Sequence, residues 1–156
     1  MPFDVCRSCP LPIDYFVSSH PEKIIMRTQQ LQFNNLTAEN FDWVKRKYKA
    51  VDTMNLSEFA GFIAEDCSLQ FANNAIAQGK EVLLRSFNIF WKSIFGLDHS
   101  FINMYQVNHT LILEAIITYT LKGNKTVAIP SVIIIELKNQ LAISIRIFMD
   151  MTFLYI

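Results

Sequence analysis

Apolar residues recur every three or four positions after residue 37 and roughly every second position from about residue 99, so helices followed by strands are expected. Phe41, Val44, Tyr48 and Val51 share one helical face behind a candidate N-cap at Thr37. In Asn55-Leu56-Ser57-Glu58 a capping residue precedes a glutamate by three positions, the capping-box arrangement. Phe59, Phe62 and Ile63 then supply the buried face of a short second helix. A first strand is expected over residues 67–71, leading into Asn73-Asn74 and Gly79. A third helix follows, with Val82, Leu83, Phe87, Phe90, Trp91 and Ile94 as a wide apolar stripe and Gly96 as its end. Strands over 99–121 and 125–137 flank the hairpin signal Gly123-Asn124, and Asn139-Gln140 marks a second tight turn before 141–153. Three helices and a long antiparallel meander make an α+β domain, whose strongly curved sheet would close over the helices and leave a cavity.

Residues 1–36 break the pattern. They hold four of the five prolines (Pro2, Pro10, Pro12 and Pro21) and no sustained period, which suggests an extension that wraps the domain of residues 37–156 or stays mobile. Its Cys6-Arg7-Ser8-Cys9 has a metal-site spacing, but a structural zinc needs four ligands and only His20 is near, so no metal is expected. An odd total of three cysteines also speaks against a disulfide scaffold.

Composition adds bounds. A chain of 156 residues, half of them apolar and thirteen of them Phe, can bury a sizeable core. Fourteen basic residues balance fourteen acidic ones, so no nucleic-acid partner is expected. The basic cluster Lys45-Arg46-Lys47 with Lys49 sits beside Asp42 and Asp52 and is expected to be a solvated helix face. The longest apolar run, Val132 to Ile135, is far short of the roughly 20 residues that span a membrane, and the N-terminus has no secretory pattern; a cytoplasmic protein is expected. That run is apolar on both alternating faces, which suggests a homodimer through the outer face of the sheet.

The order of elements, together with particular residues, resembles the SnoaL-like branch of the nuclear transport factor 2-like superfamily. The matching pieces are Val51-Asp52-Thr53-Met54-Asn55-Leu56, Glu65-Asp66 before the first strand, Gly79 opening the third helix, Leu97-Asp98-His99, and Arg146-Ile147-Phe148-Met149-Asp150. They run from about residue 40 to the C-terminus. The resemblance implies a cone-shaped domain with an apolar pocket, in a superfamily that includes polyketide cyclases, ketosteroid isomerases, limonene epoxide hydrolases, scytalone dehydratases and non-catalytic binding modules. Its carry-over is partial. Phe71 stands where ketosteroid isomerases would have a carboxylate base. Ile117 and Tyr119 stand where limonene epoxide hydrolases have an Arg and an Asp, whereas Asn73 and Asp150 match two of their other groups. Asp52 and His99 match the Asp and His of scytalone dehydratases, whose tyrosine partners fall at Val51 and Phe71.

Four residues emerge as candidate acid/base groups. Asp150 ends an apolar strand, where burial would raise its pKa and suit proton transfer; the alternative is a structural carboxylate accepting backbone N–H bonds. Asp52 and His99 would form a pair that fixes the imidazole tautomer, unless Asp52 only caps a turn. Tyr119 shares strand parity with Ile117 and Ala115, and its hydroxyl either polarises a substrate carbonyl or is satisfied within the core. Asn73, Tyr48, Phe71, Phe87, Trp91, Ile117, Phe148 and Arg146 are expected to line a substrate pocket, although for Arg146 a structural bridge to Glu136 or Glu114 is the default and substrate anchoring the alternative. No Gly-rich phosphate loop, His-rich metal spacing or nucleophile elbow occurs, so no cofactor is expected. The expected function is isomerase-, cyclase- or dehydratase-type chemistry on a small apolar polyketide-, terpenoid- or steroid-like molecule. The alternative is a binding or assembly module that has lost catalysis.

Overall fold

The first helix, α1 (Ala38–Asp52), starts where the side chain of Thr37 accepts a hydrogen bond from the Asn40 N–H, satisfying a donor that the helix itself cannot pair. The computed structural model describes residues 32–154; the Cys6–Cys9 pair and most of the proline-rich segment lie outside them. Asn55 caps α2 (Leu56–Ala60) in the same way, through Glu58 N–H. The third helix, α3 (Lys80–Trp91), follows Gly79. It stops before Gly96, which instead opens a strand: a Cβ there would sit 2.9 Å from Thr120 Oγ1 on the neighbouring strand, so glycine leaves room for the Thr120 side chain rather than ending a helix.

The strands are β1 (Gln32–Asn34), β2 (Ile63–Phe71), β3 (Ala77–Gln78), β4 (Gly96–Val107), β5 (Thr110–Thr120), β6 (Thr126–Lys138) and β7 (Leu141–Met149). They form one sheet in the order β1-β4-β5-β6-β7-β2-β3. The expected meander is present from β4 to β7, with neighbours antiparallel. Two pairings were not expected: β2 runs parallel to β7, and β1 runs parallel to β4, so the sheet is mixed. The first of these sends the chain from the helical layer to the far edge of the meander. The second places three residues of the supposed extension in the sheet.

Turn chemistry sets the hairpins. Gly123 and Asn124 both take positive φ, as do Asn139 and Gln140, the backbone signs of the tight turns that match strand twist. A further turn at Asn108 (φ 54°) divides what the pattern suggested as one strand over 99–121 into β4 and β5, and leaves His109 exposed. The first strand also begins earlier than expected, at Ile63, so Glu65 and Asp66 lie inside it, both exposed.

The core lies between the helices and one face of the sheet. Trp43, Val44, Tyr48 and Val51 of α1, Phe59 of α2, and Leu83, Phe87 and Trp91 of α3 pack on Leu97, Ala115, Ile117, Tyr119, Ile133, Ile135, Ile145 and Ile147. The opposite face is partly apolar as well: Ile102, Ile116, Val132 and Phe148 are exposed on it.

Candidate active site

Asp52 is the last residue of α1, and His99 is the fourth residue of β4. Their side chains are each only 6% exposed, and His99 Nδ1 lies 2.5 Å from Asp52 Oδ1. The backbone N–H of His99 donates to Oδ2 of the same carboxylate at 3.3 Å. An ionised carboxylate can only accept, so Nδ1 is the donor in this contact, and in the neutral ring it is Nε2 that carries the lone pair. The alternative role of Asp52, capping the following turn, is not seen: the cap is Asn55.

The rings of Tyr48 and Phe101 flank this histidine, at centroid distances of 4.7 and 6.0 Å. A cavity of about 20 Å³ lies beside them, lined by Lys47, Tyr48, His99, Trp91, Ile117 and Tyr119 among others. It is large enough for about one water-sized group. Phe71, Phe87 and Phe90 also line it, and the same three rings form the floor of an outer cleft of about 270 Å³ with Asn74, Ser86, Ser93 and Met151. One aromatic layer therefore separates the cleft from the inner cavity, its rings 5.4 Å (Phe71–Phe90) and 6.5 Å (Phe71–Phe87) apart.

Lys47 is the residue that sequence reasoning placed wrongly. It was grouped with a solvated basic face, yet it is 3% exposed, whereas Lys45, Arg46 and Lys49 are exposed. Its Nζ sits 3.9 Å from the centroid of Tyr48 and 5.5 Å from that of Phe59. Burial, offset in part by attraction to Asp52 and Cys67, lowers its pKa to about 7. The signal was in the spacing: Lys47 follows Val44 by three positions and precedes Val51 by four, so it shares their buried face. Trp91 adds a second unusual group: its Nε1 is the one buried side-chain nitrogen or oxygen without a hydrogen-bond partner among the described residues.

Electrostatics around the site disfavour added charge. Burial pushes the hydroxyls of Tyr48 and Tyr119 well above the usual phenol range, so both stay protonated. Burial, and then repulsion from Asp52, raises the carboxyl of Asp98, the residue before His99. Burial likewise pushes the Cys67 thiol up to about 11.

The remaining expected residues divide into three places. Tyr48, Phe71, Phe87, Trp91, Ile117 and Tyr119 line the inner cavity, although the hydroxyl of Tyr119 is directed to Met149 Sδ at 3.5 Å. Asn73 and Asp150 come together, but in an open depression outside the cavity. Asp150 was expected in apolar surroundings with a raised pKa. It is exposed, and hydrogen bonds from Thr152 hold its carboxyl below the usual range. Strand β7 ends at Met149, so Asp150 starts a turn that carries it into solvent. Phe148 and Arg146 lie on the outer face, where Phe148 is 47% exposed and Arg146 reaches Glu136 at 3.4 Å, the bridge expected as its default role. Neither lines the cavity, because strand parity sends Ile145 and Ile147 inward instead. Among the described residues no group of three or more His, Cys, Asp or Glu is arranged to hold a metal, and no helix is long and apolar enough to cross a membrane.

No family model and no curated protein matches the sequence. Solved structures do match the fold. An NTF2-like protein of unknown function from Burkholderia pseudomallei superposes with a TM-score of 0.68 at 11% identity, over 76% of this chain and 95% of that one. A candidate SnoaL-like polyketide cyclase from Jannaschia sp. CCS1 gives 0.68 at 15% identity, over 78% and 92%. An LEH-like epoxide hydrolase from M. tuberculosis gives 0.65 at 11% identity, over 73% and 84%.

Proposed function

Given that the chain has the nuclear transport factor 2-like fold, we propose that it is an acid/base enzyme, independent of any cofactor, that acts on a small and largely apolar molecule. The observation that carries this reading is the buried Asp52–His99 pair in the wall of an aromatic cavity. Asp52 holds the imidazole by two contacts, one to the ring and one to the backbone, so Nε2 is oriented without the rotamer freedom an unpaired histidine would keep. Nε2 then accepts a proton from the substrate and returns it at a second position, which is the chemistry of an isomerisation, cyclisation or dehydration. Tyr48, 4.7 Å from the imidazole and held protonated by burial, is the donor placed to face developing negative charge. Substrate reaches the pair from the outer cleft, past Phe71, Phe87 and Phe90.

A second reading has its own support. The inner cavity has room for about one water, and seven aromatic or imidazole side chains crowd it, so a module that binds an apolar ligand in the outer cleft without turning it over also fits. In both readings the protein acts as a homodimer through the outer sheet face. Val132 and Phe148 are opposite one another on β6 and β7 there, and Ile102 and Ile116 extend the exposed apolar area.

Identification of a co-purified ligand by mass spectrometry, followed by turnover of that compound and its isomers, separates the two. The enzyme reading expects conversion by the wild type and a loss on the order of 10²- to 10⁴-fold in kcat for His99→Gln. Unchanged turnover in His99→Gln overturns it, and a tightly bound compound that is never converted leaves the binding module.

A further inference from the structure

Lys47 is a charged residue type that the acid/base reading does not use, and its position is hard to explain by packing alone. A lysine on a helix normally carries its amine into water along its own stem. This one is 3% exposed, and its Nζ rests against the faces of Tyr48 and Phe59 at 3.9 and 5.5 Å. None of the salt bridges among the described residues includes it. It lines the same cavity as His99 and Trp91. Asp52 and Cys67 act on its charge and the ring of Tyr48 lies beneath its Nζ, while burial keeps the Cys67 thiol and the Tyr48 hydroxyl neutral. Trp91, also in that wall, has an N–H donor with no acceptor. An amine resting on two ring faces and an unpaired buried N–H in one cavity wall are the two parts that a carbonyl group would engage together: the amine meets its carbon, and the N–H meets its oxygen.

We propose that Lys47 is a covalent carbonyl-binding site, which captures small aldehydes or ketones as an imine. The neutral amine attacks the carbonyl carbon, forming the C–N bond while the C=O π pair moves to oxygen. The oxygen takes up a proton as the nitrogen releases one, giving a carbinolamine. Loss of that oxygen as water, with the second amine hydrogen, leaves C=N; neither partner is oxidised or reduced. This goes beyond the proposed acid/base function and holds whether or not His99 transfers protons, because it concerns a different side chain and needs no catalytic turnover.

The electrostatic setting supports the step, since burial leaves about half of the Lys47 amines free near pH 7. An ordinary lysine, with a pKa near 10.4, has roughly a thousandfold fewer. The cost is access, because Phe71, Phe87 and Phe90 lie between the amine and the outer cleft.

The test is competitive reductive labelling of the folded full-length chain with limiting acetaldehyde and cyanoborohydride at pH 7, with each lysine followed by peptide mass spectrometry. Lys47 should be modified at least about tenfold faster than Lys45 and Lys49, its exposed neighbours on α1, with the chain's α-amine as an internal standard. In denaturing urea that advantage should vanish, because the burial that frees the amine is gone. Phe90→Ala, which thins the aromatic layer, should speed Lys47 and leave the α-amine unchanged. If Lys47 of the folded wild type is instead the slowest lysine to react, it is a packed core residue and the proposal is overturned.

Discussion

Asp52 at the end of α1 receives both the ring Nδ1 and the backbone N–H of His99 in β4, so a single carboxylate ties the helical layer to the sheet. The contact spans 47 residues of sequence and is nine-tenths buried on both sides. Its stability and its proposed chemistry are therefore the same interaction, and mutation can measure the first without knowing the substrate.

Asp52→Ala should destabilise the fold by about 2–4 kcal/mol, because it leaves a buried imidazole N–H and a backbone N–H unpaired. His99→Ala should cost a comparable amount. The double variant should fall short of the sum by about 1 kcal/mol or more, since the second change removes a partner already lost. Urea denaturation of the four proteins gives the coupling directly. Simple additivity would show that the two residues act independently.

Lys47 should make stability depend on pH. Unfolded, the amine keeps its proton until about pH 10.4; folded, it releases it near 7. Between these values the unfolded chain binds more protons, so stability rises with pH, on the order of 1.4 kcal/mol per unit at most. The Cys67 thiol, raised from 9.0 to about 11, works in the opposite direction above pH 9, so the useful window is pH 7 to 9. Lys47→Met should flatten the slope there, with its gain over wild type largest at the acid end. A slope identical in the two proteins would mean that Lys47 enters the fold charged.

Asp150→Asn should leave the melting temperature essentially unchanged, because the carboxylate is exposed and its acceptor role toward Thr152 N–H survives in the amide. It should also leave turnover unchanged once a substrate is known. A large loss of activity with an intact fold would move the chemistry from the cavity to the open depression that Asp150 shares with Asn73.

The outer sheet face gives the last expectation. Phe148→Lys places a charge opposite Val132 in the middle of the exposed apolar area, and should convert the proposed dimer to a monomer with little loss of fold. Light scattering at micromolar concentration reads the result. A wild type that already runs at 18.1 kDa would remove the dimer.

Much of the architecture was legible because it is encoded locally. Thr37 and Asn55 cap helices by bonding donors three residues away, and Gly123-Asn124 and Asn139-Gln140 turn the chain through their own backbone angles. Strand alternation put Ile117 and Tyr119 on one face, the family resemblance turned that face inward, and the Asp52–His99 match proved a contact. What the sequence by itself left open depends on which surfaces meet. Parallel pairing of β2 with β7 joins segments some 75 residues apart and has no local signature. Gly96 looked like a helix stop, and only the proximity of Thr120 shows why it is small. Asp150 follows an apolar strand, but the point where β7 leaves the sheet decides whether its carboxylate meets core or water. Lys47 sits in a run of four basic residues within five positions, and charge alone suggests one solvated face. A helix turns 100° per residue, so neighbours in sequence point in different directions, and the packing of α1 on the sheet turned three of those side chains to solvent and the fourth inward.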